Sequence, residues 1–597
     1  MKQRVCRWST LILWSLLPFQ WSWGQFVDVG PDMELQNFHV GGYLGHGVSM
    51  ADFNGDQIDD LTLVTWEGDI VAYAGTGDGF QGTQLGIEGL EGFEAKCVLW
   101  ADIDNDNDQD LFVTYRLAPN RMWLNNGDMT FTEISGSCGI DQENRRSYGA
   151  AFGDYDNDGF LDLFVADYNW VTDEPRNELY HNNGDGTFTD VTFEAGLGEE
   201  DYIQNFQGMW IDINEDGWLD LFVIVDRIIY PNLLFVNQGD GTFVEDAAGW
   251  GLGFQINAMS TSVADFDRDN DLDIYVVGAQ FDEHRLMVNT GDGFEDFNPP
   301  SGDHLHVNEL SWAANWVDYN NDGWEDVYVN TGFSTYTEYP GVFNQYPAMP
   351  NRLFRNSPGG VFSPVLNDVP NTSELSFASA VGDWNQDGHL DIAVNRVGTK
   401  MHMLEGQSTA NHYLKVLPKG TVSNRDAIGT KLRGWTGGEV TYQMVFCGEN
   451  YMGQNSRWEH FGLGTATQMD SLIVTWPSGI VDSYYDLPAD TAIVVLEGET
   501  QPVDSPCEGL GADCYGCTYD EACNFSEVAQ QDDGSCDFTC LYDNTVCGPG
   551  TYWDPMALQC MQIPDYDPCP SDINMDGAVT MADLLLMLVS FGTYCPD

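Results

Sequence analysis

Seven copies of one nine-residue string, Asp-x-Asp/Asn-x-Asp-x-x-x-Asp, run through this chain at 52–60, 102–110, 154–162, 212–220, 265–273, 318–326 and 383–391. Their starts lie 50, 52, 58, 53, 53 and 65 residues apart. One copy would be an ordinary Asp/Asn/Gly turn. Seven at a near-constant period mark a repeat architecture, in which each unit buries its apolar face against its neighbours.

The spacing also specifies a chemistry. Carboxylates at alternate positions of a tight loop converge on one point, where they repel one another unless a cation intervenes. Calcium, a hard cation, takes six to eight oxygens at about 2.3–2.6 Å. Positions 1, 3, 5 and 9 supply side-chain oxygens. In chain order these are Asp52, Asn54, Asp56 and Asp60; Asp102, Asp104, Asp106 and Asp110; Asp154, Asp156, Asp158 and Asp162; Asp212, Asn214, Asp216 and Asp220. The last three sets are Asp265, Asp267, Asp269 and Asp273; Asp318, Asn320, Asp322 and Asp326; Asp383, Asn385, Asp387 and Asp391. Position 7 offers its backbone carbonyl. About seven calcium ions are therefore expected, one per loop.

An EF-hand places its last acid at position 12 and continues into a helix. Here the last acid is at position 9 and strand-like runs follow, such as Leu61-Thr62-Leu63-Val64 and Ile274-Tyr275-Val276-Val277. A loop joining two strands fits better. Position 6 must tolerate left-handed backbone. Gly159, Gly217, Gly323 and Gly388 suit it and Asn107 and Asn270 accept it, whereas Gln57 is the exception. The first loop is therefore expected to be the weakest or most distorted.

Several repeats then reach an Asn-Gly or Asp-Gly turn, as at Asn182-Asn183-Gly184-Asp185-Gly186 and Asn237-Gln238-Gly239-Asp240-Gly241. Such turns between β-rich runs signal hairpins. The expected fold class is all-β: a seven-bladed β-propeller of four-stranded antiparallel blades over 34–408, closed by an N-terminal strand pairing with the last blade. A small all-β domain and a disulfide-rich C-terminal region are expected to follow.

These units resemble the FG-GAP/VCBS repeat family, best known from the integrin α-chain propeller. The resemblance implies calcium between the first two strands of each blade and partner binding on the opposite face. The longer insertions fall on that face, at 167–176, 226–232 and 330–351. The last contains Phe333, Tyr336, Tyr339, Phe343 and Tyr346.

After the ring, Asn424-Arg425-Asp426-Ala427-Ile428-Gly429, His460-Phe461-Gly462-Leu463-Gly464 and Val474-Thr475-Trp476-Pro477-Ser478-Gly479 resemble the ASPIC/UnbV domain, over 411–499. That domain follows such repeats in proteins similar to cartilage acidic protein. Thr430 stands where the family usually has Ala. His460 has no nucleophile motif beside it, so a packing role is expected.

Of fourteen cysteines, ten lie from Cys507 onward. In an exported chain this density reads as a disulfide framework over 507–569. A zinc site at Cys514-Tyr515-Gly516-Cys517 is the weaker rival. At 570–597 a second kind of loop, Asp572, Asn574, Asp576 and Asp583, has its acid at position 12 before an apolar run. It resembles one half of a dockerin and implies one more calcium.

Address and charge narrow the function. Lys2, Arg4 and Arg7 precede an apolar stretch over 8–19, and Ser22-Trp23-Gly24 offers a cleavage site, so 1–24 reads as a signal peptide. That stretch is too short to span a bilayer. The formal net charge of −72 excludes nucleic acid and anionic membrane surfaces as partners. No GxSxG, HExxH or P-loop motif occurs. The expected protein is a secreted or cell-surface calcium-binding scaffold that adheres to an extracellular protein or glycan, with no integral membrane segment once cleaved. The alternative is a calcium-dependent carbohydrate-active protein, a lectin or a polysaccharide lyase or hydrolase.

Overall fold

The computed structural model describes residues 25–502 apart from 32, 34, 36–43, 169–176, 199–203, 280–283, 298–304, 306–309, 333–349, 366–368 and 371–374, and beyond 502 only 515–516, 531–532, 551–554 and 559–562. The signal peptide, the aromatic insertion, the cysteine-rich framework and the Asp572, Asn574, Asp576 and Asp583 loop lie outside the described residues. No helix occurs among the described residues, and none is long and apolar enough to cross a membrane.

Seven antiparallel four-stranded units follow one another. In the second, Glu94–Ala101, Asp110–Ala118, Arg121–Asn125 and Phe131–Glu133 pair in chain order. The Asp loop joins the first strand to the second in every unit, and the Asn-Gly and Asp-Gly turns join third to fourth. First strands are buried along most of their length, and wholly so in Asn205–Ile211. Fourth strands such as Phe243–Glu245 show one face to water. This gradient follows from a radial arrangement, with strands near the axis enclosed on both faces.

First strands touch in sequence around a closed circuit: Val48–Met50, Glu94–Ala101, Arg145–Gly153, Asn205–Ile211, Ala258–Ala264, Ser311–Val317, Leu375–Gly382 and back to Val48–Met50. The seventh unit takes its fourth strand from the N-terminal side, Phe26–Asp28, which pairs with His402–Gly406. The closing strand thus lies before residue 34, where the repeat pattern places the start of the ring. Phe26 is buried against Tyr319, and Asp28 Oδ2 lies 2.5 Å from His402 Nδ1.

Residues beyond the ring form two further sheets. One joins His412–Lys419 to Glu459–Gly464 and, in parallel, to Thr491–Leu496. The other is an antiparallel sheet of Lys431–Thr436, Glu439–Met444, Gln468–Thr475 and Val481–Pro488. Their apolar residues, including Leu432, Tyr442, Phe461 and Trp476, join the core of the ring. Residues 1–502 form one compact unit and 503–597 a second.

Closure by three residues makes the ring sensitive to a single side chain. Phe26→Ala should lower unfolding stability by about 3 kcal/mol, read as a drop in the urea midpoint in saturating calcium. An unchanged midpoint would mean that the strand is not part of the closed ring.

Candidate metal loops and the module that covers them

One hydrogen-bond frame recurs in all seven loops. The position 1 carboxylate accepts the position 5 N–H on Oδ1, at 3.0–3.1 Å. Its Oδ2 accepts the position 6 N–H at 2.6–3.3 Å. The position 5 carboxylate accepts the position 7 N–H. The position 9 carboxylate accepts an N–H at the end of the third strand, at 2.6–2.8 Å. Position 9 therefore clamps the loop to the hairpin beyond it.

Position 6 is left-handed in every loop, Gln57 included at φ 68°. Gln57 donates to Asp52 Oδ2 at 2.8 Å as its glycine counterparts do, so the distortion expected of the first loop is not found. Position 4 is left-handed too, at Asn105, Asn157, Glu215, Arg268, Asn321 and Gln386 as well as Gly55. That requirement carries no glycine signature. Five position 4 side chains reach the next loop: Asn105 donates to Gly159 O, Asn157 to Gly217 O, Asn321 to Gly388 O and Gln386 to Gln57 O, and Arg268 stacks over Trp324 at 4.7 Å. The loops are thus linked around the ring.

The donor set fits a hard cation. Single oxygens of Asp102, Asp104 and Asp110 lie within 4.8 Å of one another, as do those of Asp154, Asp156 and Asp158 and of Asp265, Asp267 and Asp269. Asp156 and Asp162 also converge with His181. In the other four loops position 3 is Asn54, Asn214, Asn320 or Asn385, whose carbonyl oxygen replaces a carboxylate. Buried carboxylate oxygens of Asp104, Asp156, Asp267, Asp273 and Asp391 lack a hydrogen-bond partner. Burial pushes Asp60 and Asp110 up to about 9, and burial with repulsion from neighbouring carboxylates pushes Asp154 and Asp265 up to about 8. A divalent ion would remove that cost and restore the anionic forms.

The capping sheets lie directly on these loops. Lys415 Nζ donates to Asp383 Oδ2 at 2.8 Å and Lys431 Nζ to Asp212 Oδ2 at 2.5 Å. Asp426 accepts the Asp102 N–H at 2.7 Å and the Gln109 amide at 2.8 Å, and is paired with Arg457. His460 Nε2 lies 2.8 Å from Asn321 Oδ1. A Cβ on Gly462 would stand 1.8 Å from Asp318 Oδ2, so only glycine admits this approach. The Asn-Arg-Asp and His-Phe-Gly motifs thus dock the module on the loops. The Trp-Pro-Ser-Gly motif is an internal turn, with Gly479 at φ 84°, the Trp476 backbone N–H donated to Ile480 O and its indole Nε1–H to Asp482.

Position 8 holds the signal that the repeat pattern hides. It is Leu in four loops but Asp59, Gln109 and Glu325 in the others. Each of these three bonds to the module, with Ser456, Asp426 and Gln443 respectively.

A segment over 447–456 runs from the module into the centre of the ring. Gly453 and Gln454 pair in parallel with Val48 and Ser49. Gln454 accepts from Ser49 Oγ and the Trp100 N–H and donates to Trp100 O. Asn450 donates to Asn315 Oδ1 and Ser379 O. Tyr451 packs on Phe206 and Trp312. First strands of units 1, 2, 3, 4, 6 and 7 meet this plug, the third through the Phe152 N–H donated to Cys447 O.

A cavity of about 110 Å³ remains between plug, module and ring, lined in part by Glu325, Lys415, Glu449, Glu459 and His460. Burial pushes Glu325 and Glu449 up to about 7 and, with Lys415, holds His460 down to about 3. His460 is therefore neutral and stacks on Tyr413, in keeping with a packing role.

A family model described as FG-GAP-like repeat matches 52–113, 102–165, 166–223 and 212–276, and one described as ASPIC and UnbV matches 420–502. Cartilage acidic protein 1 of Xenopus tropicalis is 28% identical over 349 residues, covering 53% of this chain and 50% of the relative. Cartilage acidic protein 1 of Homo sapiens is 27% identical over 258 residues, covering 42% and 37%. The chain spans half or less of the length of these curated relatives. Among solved structures, an Agrocybe aegerita lectin that recognises non-reducing terminal N-acetylglucosamine is 18% identical at a TM-score of 0.35, covering 53% of this chain and 78% of that one.

Two outcomes test the docking. Gly462→Ala should cost about 3 kcal/mol of stability through its clash with Asp318; a variant that melts like the parent would refute the contact. Glu449 tests the cavity. Its folded pKa, about 7, exceeds its ordinary 4.5, so its contribution is full below that value and lost as pH rises through about 7. In saturating calcium, Glu449→Gln should remove part of the loss in stability between pH 5 and 7.5, and an unchanged slope would show that Glu449 is not buried as a carboxyl.

Proposed function

We propose, from the premise that this chain carries FG-GAP-like repeats joined to an ASPIC and UnbV domain and is a relative of cartilage acidic protein 1, that it is an exported calcium-binding scaffold that recognises an extracellular protein or glycan. Asp loops on all seven units hold calcium as a structural ion, with positions 1, 3, 5 and 9 as ligands. The bound ion supplies the positive charge that lets converging carboxylates stay ionised. The chain's own residues close the loops, clamp them to the hairpins and seat the capping module.

The observation that carries this reading is the covered loop face. With the module on the loops and 447–456 in the ring centre, the opposite face is the one left for a ligand. There the 226–232 connection presents Ile228, Ile229 and Tyr230 at 50, 68 and 39% exposure. The turn beneath them is braced. Asp226 accepts from Tyr168 Oη at 2.5 Å and from Arg227 at 2.8 Å, Tyr230 N–H donates to Arg227 O, and Asn232 N–H donates to Phe254 O. An apolar tip on a braced turn binds with little ordering cost.

Calcium removal should lower the melting temperature steeply, since each independent site at a hundredfold excess over its dissociation constant contributes about 2.7 kcal/mol. A melting curve indifferent to excess EDTA would end the metal reading. For binding, an Ile228→Asp/Ile229→Asp variant should lose at least about tenfold in affinity on glycan arrays or intact cell surfaces, with its calcium-dependent melting intact. Full binding by that variant, together with loss of binding on chelation of a still-folded protein, would move the ligand to the loop face.

A further inference from the structure

We infer that Lys415 and Lys431 are built-in counter-cations that make the fourth and seventh loops late calcium sites. The inference rests on the calcium reading above. The loops share one hydrogen-bond frame but not one charge. At positions 1, 3, 5 and 9 the second, third and fifth loops carry four carboxylates, whereas the fourth and seventh carry three and an asparagine, Asn214 or Asn385. The capping module adds an ammonium to those two. Lys431 Nζ lies 2.5 Å from Asp212 Oδ2 and Lys415 Nζ 2.8 Å from Asp383 Oδ2.

Both pairs are enclosed. The lysine side chains are 10 and 6% exposed and their aspartates 2 and 1%. Each ammonium sits on the oxygen that also accepts the position 6 N–H, at 2.8 Å in the fourth loop and 3.0 Å in the seventh. It therefore adds positive charge without replacing any element of the loop frame. Ligand charge tunes calcium affinity over orders of magnitude. A like charge a few ångströms from an incoming divalent ion, with little water between, opposes it by about tenfold or more.

Two consequences follow. The second and fifth loops take calcium first; in the third, His181 Nδ1 already lies 3.2 Å from Asp162 Oδ1 and 3.4 Å from Asp156 Oδ2. The fourth and seventh remain closed by lysine when calcium is scarce and fill last. By linkage, calcium entering those late loops weakens the lysines' hold on the same carboxylates, so late occupancy and module docking oppose each other. The module thereby carries part of the neutralisation that calcium otherwise supplies.

The test is a calcium titration of the chelator-stripped full chain by calorimetry, with the metal alone as probe. Wild type should show at least two affinity classes. Lys431→Met and Lys415→Met should each move one ion per chain from the weak class to an affinity about tenfold higher or more, and the double variant two. Asn214→Asp and Asn385→Asp keep the lysine and add a carboxylate, so each should strengthen the same single ion even if a lysine variant fails to fold. Unchanged classes in all folded variants would overturn the inference while leaving calcium binding intact. A wild-type chain that takes up no calcium would sink the reading of the loops as metal sites.

Discussion

The fold turns on the position 9 carboxylate. In every unit it ends the Asp loop, stands at the start of the second strand and accepts an N–H at the end of the third. It is also among the most buried acids of the chain, with Asp60, Asp162, Asp220, Asp273, Asp326 and Asp391 at 0% exposure. Burying an anion at the joint of three strands is costly unless a cation shares it. The remaining architecture can be understood as ways of meeting that cost. The loop folds its own N–H groups onto the carboxylates, neighbouring loops brace one another, and other acids are arranged around a common point.

The capping module belongs to the same solution. It brings Lys415 and Lys431 to the loop carboxylates, and its apolar residues merge with the ring core. Its central segment occupies the axis, where first strands alone would leave unpaired polar groups facing a channel. Gln454 and Asn450 satisfy these through side chains. Loops, module and plug are therefore one mechanical assembly, and disturbance at one loop is felt across it. On the opposite face the 226–232 connection exposes Ile228 and Ile229, away from the charge neutralisation at the loops.

Much of this was legible in local pattern. The loop period, the strand after position 9, the hairpin turns and the left-handed position 6 all follow from short-range rules, and the structure agrees at each. Gln57 misled because a left-handed glutamine is unfavourable but tolerable once Asp52 accepts its N–H. The docking of the module was not legible. Its contacts pair residues such as Asp102 with Asp426, 324 positions apart, and no periodicity speaks to such pairs. Traces were nonetheless present: the polar residues Asp59, Gln109 and Glu325 at a position otherwise held by Leu, and Gly462 in a motif whose need for glycine arises from Asp318 on another unit. The ring plug left a fainter trace, a run without strand alternation between Phe446 and Arg457.

The central claim is that cations occupy the converging carboxylates beneath the capping module. Crystals of the full chain grown in manganese, a calcium surrogate with a usable absorption edge, test it most directly through anomalous difference density. The account predicts strong peaks among Asp102, Asp104 and Asp110, among Asp154, Asp156 and Asp158, and among Asp265, Asp267 and Asp269, with weaker ones beside Asp212 and Asp383. Loops that keep the same frame with no anomalous peak in any of them would contradict it.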